Sequence, residues 1–468
     1  MKRRPLTKNS VMFVAAVLGA FVTIARPPGA GAFCGFYVGK ADSSLHNRSS
    51  RVVLARDGDH TVISIMSDYQ GPLAQFAMVV PVPVVLERGQ IHVGDSAVFK
   101  HLGDYSAPRL VQYDDPDPCE TERVEPLAMA AGAPAAQNAA KAAQPADALG
   151  VTVEASYTVG EYDIVILSAM QSDGLATWLK REGYVMPAGA ATALEPYIRT
   201  GMKFFVARVN LKAQAATGLD YLRPIQFAFD SPKFMLPIRL GMVNSVGSQD
   251  LIIFMLTRSG RVETTNYRTV PMTTGTDVPD FVRDDFTRVY EAAFAHQAAA
   301  NDGRALFTEY VWNMGWCDPC AAPPLSRDEL RELGVFWLSD AAAPAPQPGP
   351  MMFWRGPNTT SSTDVILTRL HVRYTADKFP EDLMFQQTGD TDNFQTRYVI
   401  HRPWQGSADQ CPAAKAYLAG LDQQRAADAG NLADLTGWNR DSIARRMGIA
   451  PPAPDQPWWS DLWGSGRS

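Results

Sequence analysis

The sequence lacks a basic excess, a long apolar span and the common catalytic signatures. Lys and Arg number 43 against 49 Asp and Glu, a formal charge of −6 over 468 residues. Nothing in that balance meets a phosphate backbone, so nucleic acid is not an expected partner. No apolar stretch reaches the roughly 18 residues of a membrane span, and none is expected once the N-terminal segment described below is removed. Gly-x-Ser-x-Gly, Walker and Rossmann glycine patterns are absent, and no cofactor is implied. The seven histidines, His46, His60, His92, His101, His296, His371 and His401, form no i,i+4 metal pair. What is present is a globular composition, 46% hydrophobic and 10% aromatic, which excludes disordered, collagen-like and coiled-coil chains.

The first 32 residues read as an export signal. Lys2, Arg3, Arg4 and Lys8 precede an apolar run from Val11 to Ile24, and Ala30-Gly31-Ala32 supplies the small residues of a cleavage site. The run is short for a bilayer helix. Cleavage before Phe33 is therefore expected, with an uncleaved anchor as the alternative. The mature chain then carries 38 bases against 49 acids. Its expected place is extracytoplasmic, in the periplasm or secreted.

Three modules follow, spanning 33–120, 151–340 and 351–468. An Ala/Pro-rich insertion at 121–150 and a Pro-rich link at 341–350 separate them; 12 of the 21 residues from Ala128 to Ala148 are alanine. In the first module, Arg51–Ala55 and His60–Met66 flank Asp57-Gly58, a hairpin with a type I′ turn. Phe76–Val85 is extended, and Pro81 and Pro83 suggest an edge strand or a strand exit. Asp95–Leu102 reads as a short helix.

In the second module, Val151–Tyr157, Tyr162–Ser168 and Met202–Leu211 read as strands, and Ser172–Tyr184 as a helix. Leu251–Leu256 is apolar on both faces, the pattern of a central strand. Val282, Phe286, Val289 and Ala293 mark a helix over Phe281–His296. Two strands, Val365–Tyr374 and Arg397–His401, precede a helical tail over Ala413–Met447. Without a regular βαβ rhythm the class is α+β, with mixed, mostly antiparallel sheets.

The cysteines Cys34, Cys119, Cys317, Cys320 and Cys411 are the sharpest chemical feature, and export favours their oxidation. Two bridges and one spare thiol allow fifteen frameworks. The expected one is Cys317–Cys320 with Cys34–Cys119, leaving Cys411 free, buried or intermolecular. Trp316-Cys317-Asp318-Pro319-Cys320 matches a thioredoxin-type Trp-Cys-x-Pro-Cys string. However, Pro323 and Pro324 stop a helix from starting at Cys317, the Ser326/Glu329 capping box begins one later, and Glu309–Met314 reads as the end of a helix. A structural bridge is the preferred reading, and catalytic cysteines the alternative. A zinc site is weaker, for want of a second ligand pair.

His92, near Glu87 and Asp95, suits a strand-edge role better than a general base. Asp114, Asp115 and Asp117, and likewise Asp390 and Asp392, offer oxygens to calcium but match no EF-hand; a solvated acidic turn is the preferred reading. Arg369, His371 and Arg373 share one strand face. If that strand pairs with Arg397–His401, the basic face is a candidate anion site; salt bridging is the simpler account. Trp458, Trp459 and Trp463 offer an aromatic tail for a partner or for the domain itself.

Several strings carry a family likeness: Phe33-Cys-Gly-Phe-Tyr-Val38, Arg51-Val-Val-Leu, Pro81-Val-Pro83, Gln90-Ile-His-Val-Gly-Asp95, Tyr105-Ser-Ala-Pro-Arg-Leu110, Asp115-Pro-Asp-Pro-Cys119, Trp316–Cys320 and Leu330-Arg-Glu-Leu-Gly-Val-Phe336. Together they resemble a bacterial secreted family known as domain of unknown function 2330, over roughly Phe33 to Trp404. The resemblance implies an exported bacterial protein and brings no activity, cofactor or catalytic residue. The expected function is binding or structural support in the envelope, without catalysis, toward an unidentified protein or small molecule. Thiol–disulfide exchange at Cys317 and Cys320 and a calcium-stabilised envelope protein are the alternatives.

Overall fold

A computed structural model describes residues 30–31, 36–39, 50–67, 76–120, 151–169, 172–184, 189–219, 221–244, 247–316, 318, 323–338 and 364–449. The export signal apart from Ala30–Gly31, both low-complexity links, the tryptophan tail, Cys34, Cys317 and Cys320 lie outside them. The chain is α+β, and twelve of its seventeen strand pairings are antiparallel.

A ten-stranded sheet forms the centre. Its hairpin, β3 (Ser50–Asp57) and β4 (His60–Ser67), closes with Asp57 opposite His60, so the loop is Gly58-Asp59. Only Gly58 takes a positive φ, 59°. This glycine-first pattern fits a type II′ turn rather than the expected I′, because Asp59 avoids the left-handed region. Beyond β4 lie β11 (Ile225–Asp230) and β6 (Ile91–Val93). On the other side follow β13 (Gln249–Thr257), β18 (Ile366–Tyr374), β17 (Ala305–Asn313) and β15 (Arg268–Pro271). The two-residue strands β1 (Ala30–Gly31) and β20 (Phe394–Gln395) add to β13 and β17. Strands from before residue 120, from 151–340 and from after 351 thus share one sheet.

β13 is central, as its two apolar faces require. β17 corrects the expectation of a helix end at Glu309–Met314: the strand runs through Glu309, whose polarity is absorbed by buried partners described below. A purely local reading had no access to them.

A second sheet runs β2 (Phe36–Gly39), β5 (Phe76–Val82), β10 (Lys203–Val209), β9 (Tyr162–Ala169), β8 (Val151–Val159). β5 is not an edge strand. β2 and β10 flank it, with Phe36 opposite Val79 and Phe204 opposite Pro81, and the strand exits after Val82.

The two sheets pack face to face. Leu54, Ile65, Phe227 and Ile253 meet Val80, Ile164, Ile166 and Phe205. Helices cover the outer faces: α1 (Ser96–Ser106) and α6 (Arg327–Glu332) on the large sheet, α2 (Ser172–Arg181) and α3 (Ala190–Arg199) on the small. Asp95 caps α1, and Ser326 with Glu329 forms the expected box at α6. Leu211, read as the end of a strand, instead opens α4 (Leu211–Thr217), capped by Asn210.

Two three-stranded sheets complete the fold: β12 (Met235–Leu236) and β14 (Val262–Thr264) flank β19 (Leu383–Gln387), and β16 (Thr276–Asp277) and β7 (Arg109–Asp114) flank β21 (Arg397–Arg402). Against the second pack α5 (Phe286–Ala300), α7 (Pro412–Thr436) and α8 (Arg440–Arg446). Gly437 at φ 70° ends α7 in a left-handed cap, which divides the expected helical tail in two.

Candidate functional site

Three buried ionic clusters hold the fold. In the first, Glu309 on β17 lies 2.5 Å from Arg369 Nε and 2.7 Å from His371 Nδ1, and accepts a hydrogen bond from the Tyr290 hydroxyl. Burial alone would raise the Glu309 pKa, but Arg369, His371 and Tyr290 reverse this and hold it at about 2. Arg373 pairs with Asp250 at 2.7 Å. The basic face of β18 therefore meets internal carboxylates, and α5 covers it, with Phe294 stacked on His371 at 3.7 Å. β18 and β21 belong to different sheets. The pairing on which the candidate anion site at Arg369, His371 and Arg373 depended is not made, because β17 and β13 occupy both edges of β18.

The second cluster anchors the Trp-Cys-Asp-Pro-Cys string. Asp318, its carboxylate almost fully buried, receives Arg109 at 2.7 Å, Tyr310 at 2.9 Å and Gln395 at 2.8 Å. The strand β17 runs into this string, and among the described residues the next helix is α6. In the third cluster Asp382 accepts from Arg239 at 2.8 Å and Tyr197 at 2.6 Å.

The acidic residues Asp114, Asp115 and Asp117 diverge. Asp114 is exposed, 3.7 Å from Arg402; Asp117 caps the Cys119 amide at 2.8 Å; Asp115 turns inward. Asp390 pairs with Arg261 at 2.9 Å and turns its other oxygen to the Asp392 amide. Among the described residues no three His, Cys, Asp or Glu side chains converge to hold a metal ion. His92 faces Glu332 at 3.6 Å.

Asp115 leads to a cleft. The parallel pairing of β7 with β21 places Asp115 beside His401, Oδ1 to Nδ1 3.0 Å, while Asp277 of β16 lies 3.4 Å from Nε2. The Tyr417 hydroxyl of α7 donates to Asp115 at 2.5 Å. Asp428, about three turns further along the same helix, has its pKa pushed up to about 6, first by burial, then by Asp277 and Asp115 against an opposing pull from His401. His401 and Asp428 border a cavity of about 460 Å³, walled also by Val278, Phe281 and Met447 and rimmed by Arg283, Arg402, Arg425 and Arg446. The size is that of a small-ligand site, roughly 300–1,000 Å³. A second cavity, about 190 Å³ beside Pro81, Phe229 and Met235, is smaller and mostly apolar.

A bridge clamps the walls of the cleft. Cys119, just past β7, is bonded to Cys411, the N-cap of α7, with Cα atoms 6.0 Å apart across 292 positions. This corrects both parts of the expected framework: Cys119 does not pair with Cys34, and Cys411 is not free. The β7–β21 pairing and the packing of α7 bring the two together, and sequence distance hid it.

Of the residues lining the cleft, the sequence singled out His401; Asp115 and Asp114 contact His401 and Arg402 from outside the lining. Arg425, Asp428 and Arg446 lie on helices whose exposed faces read as a solvated tail. The i,i+3 spacing of Arg425 and Asp428 was the one available signal.

Asp428 gives a pH test. A carboxyl whose folded pKa lies above its ordinary 3.8 stabilises the fold only while protonated, so its contribution is lost as pH rises through about 6. Asp428→Asn should raise stability at pH 7.5 by about 1–2 kcal/mol after allowance for solvent screening, and change little at pH 4. Urea denaturation at both values checks this; an equal effect at the two would contradict it.

Fold and cleft together define an α+β, disulfide-clamped protein with a charged surface cavity. Residues 28–386 match the family of uncharacterised proteins conserved in bacteria called domain of unknown function 2330. The chain belongs to that family. No curated protein and no solved structure gives a significant match. β7, β16 and the 3-10 turn Asp280–Asp285 fall within the matched residues, whereas β21, α7 and α8 follow them.

Proposed function

We propose that this protein is exported and acts by binding a ligand in the cleft between β21, the Asp280–Asp285 turn and α7–α8. One observation carries the reading: a cavity of ligand size whose walls come from segments far apart in sequence and are clamped by Cys119–Cys411. A bridge of this kind persists in an oxidising compartment, which agrees with the export signal. Cleavage after Ala32 removes β1 and leaves β13 paired with β18 along its length.

A thermal-shift scan of neutral and charged small molecules tests the binding. Gln405, exposed on the cavity wall, becomes tryptophan in a blocked variant. Ligands that raise the melting temperature of the wild type should fail to do so for Gln405→Trp. Failure of every compound, or shifts that survive the block, would refute the reading.

Thiol–disulfide exchange at Cys317 and Cys320 has one observation in its favour, a strand leading directly into the motif. The buried tether of Asp318 weighs on the side of a structural bridge.

A further inference from the structure

The arginines of the buried clusters and those lining the cleft are held differently. Those of the buried clusters are tightly engaged: Arg109, Arg239, Arg369 and Arg373 reach their carboxylates at 2.5–2.8 Å. The four at the cleft are not. Arg283 lies 3.4 Å from Asp280 and 3.6 Å from Asp284, Arg402 lies 3.7 Å from Asp114, Arg425 3.9 Å from Asp422 and Arg446 3.4 Å from Asp285. A charge-assisted guanidinium bond normally sits near about 2.8 Å. Each of these side chains is about half exposed, between 44% and 50%.

Other contacts hold them in place without neutralising them. Arg425 donates to the Met447 carbonyl at 2.7 Å, Arg402 to Gln112, and Arg446 stacks over Phe281 at 4.1 Å. The guanidinium groups are therefore positioned in advance, which lowers the ordering cost of binding. Four arginines face two aspartates, Asp280 and Asp428, in the cavity lining, on a chain whose overall charge is negative. Asp280 stands against Arg283, and the carboxylates nearest Arg402, Arg425 and Arg446 lie outside the lining at 3.4–3.9 Å, longer than the pairs of the buried clusters. Phe281, Met447 and Val278 add an apolar wall.

We propose that this cleft binds a small organic oxyanion of at least two negative charges, a phosphate monoester or a polycarboxylate, through Arg283, Arg402, Arg425 and Arg446. The inference rests on the cleft being the binding site and adds the class of ligand. Planar guanidinium forks suit both oxyanions, and several of them favour a ligand with more than one charge. The apolar wall favours an organic body over a bare ion.

The test is isothermal titration calorimetry at low ionic strength with glycerol 3-phosphate, citrate and, as the neutral control, glycerol. At least one of the two anions should bind the wild type, and its affinity should fall as salt is added. The double variant Arg283→Gln with Arg402→Gln should lose about tenfold or more in affinity. Both side chains are half exposed, so its circular dichroism should match the wild type. The pair Arg425→Gln and Arg446→Gln, which also touches helix contacts, should reproduce the loss. Binding of the phosphate ester alone or citrate alone assigns the source of the oxyanion. Binding of neither, or binding indifferent to both double variants, overturns the inference. A neutral compound blocked by Gln405→Trp, with no anion bound, overturns this inference and leaves the binding reading standing.

Discussion

Glu309→Gln is expected to cost about 3–5 kcal/mol of folding free energy at neutral pH. The carboxylate is fully buried and serves Arg369, His371 and Tyr290 at once. Removing its charge strands a guanidinium on the helix-covered face of β18, beside α1 and α5. The sign with pH follows from the low pKa. A depressed carboxyl stabilises above its ordinary value and loses that contribution as pH falls toward about 2. The gap between wild type and variant should therefore narrow in strong acid. Replacing the set together, with Glu309→Leu, Arg369→Met and His371→Phe, should recover much of the loss, since an apolar cluster of similar volume carries no uncompensated charge. Urea denaturation measures all of these. A loss below about 1 kcal/mol for Glu309→Gln would mean the site is wetter than its burial implies.

Cys411→Ser should cost about 3–5 kcal/mol under oxidising conditions and nothing further under reducing ones. The bridge closes a loop of 292 positions, long enough for a large entropic effect on the unfolded chain. Serine is itself a good N-cap for α7, so the substitution isolates the covalent link from the cap. Dithiothreitol on the wild type should produce the same loss. Peptide mapping of protein exported to an oxidising compartment should recover a fragment joining Cys119 to Cys411. A Cys34–Cys119 fragment would refute the pairing. The same sample settles the other motif. A Cys317–Cys320 pair reducible between about −120 and −270 mV would support thiol exchange, and one resistant below about −300 mV would make it a staple.

The cleft links these two predictions to function. Its floor hangs on β21, which is held by β7 and β16, and its roof is α7, whose first turn is tied to β7 by the bridge. Loss of the bridge should loosen the roof before the central sheets. Ligand affinity in the cleft should therefore be more sensitive to reduction than the melting of the core.

The sequence by itself determined the α+β class, the hairpin at Gly58, the central position of Leu251–Leu256, the short helix after Asp95, the cap at Ser326 and membership of the bacterial family. Each of these is written in local periodicity, turn chemistry or contiguous strings, so nearest neighbours suffice to read it. Tertiary structure alone decided the rest. Glu309 looks unsuited to a buried strand until Arg369 and His371, some sixty positions away, neutralise it. Pro81 looks like an edge signal until β5 is seen to lie between β2 and β10. Cys119 could meet any of four cysteines until β7 and β21 pair and α7 folds back. The arginine cleft has no sequence signature because its residues come from two turns, one strand and two helices, and only the packing of α7 and α8 against the small sheet brings their charges to one place.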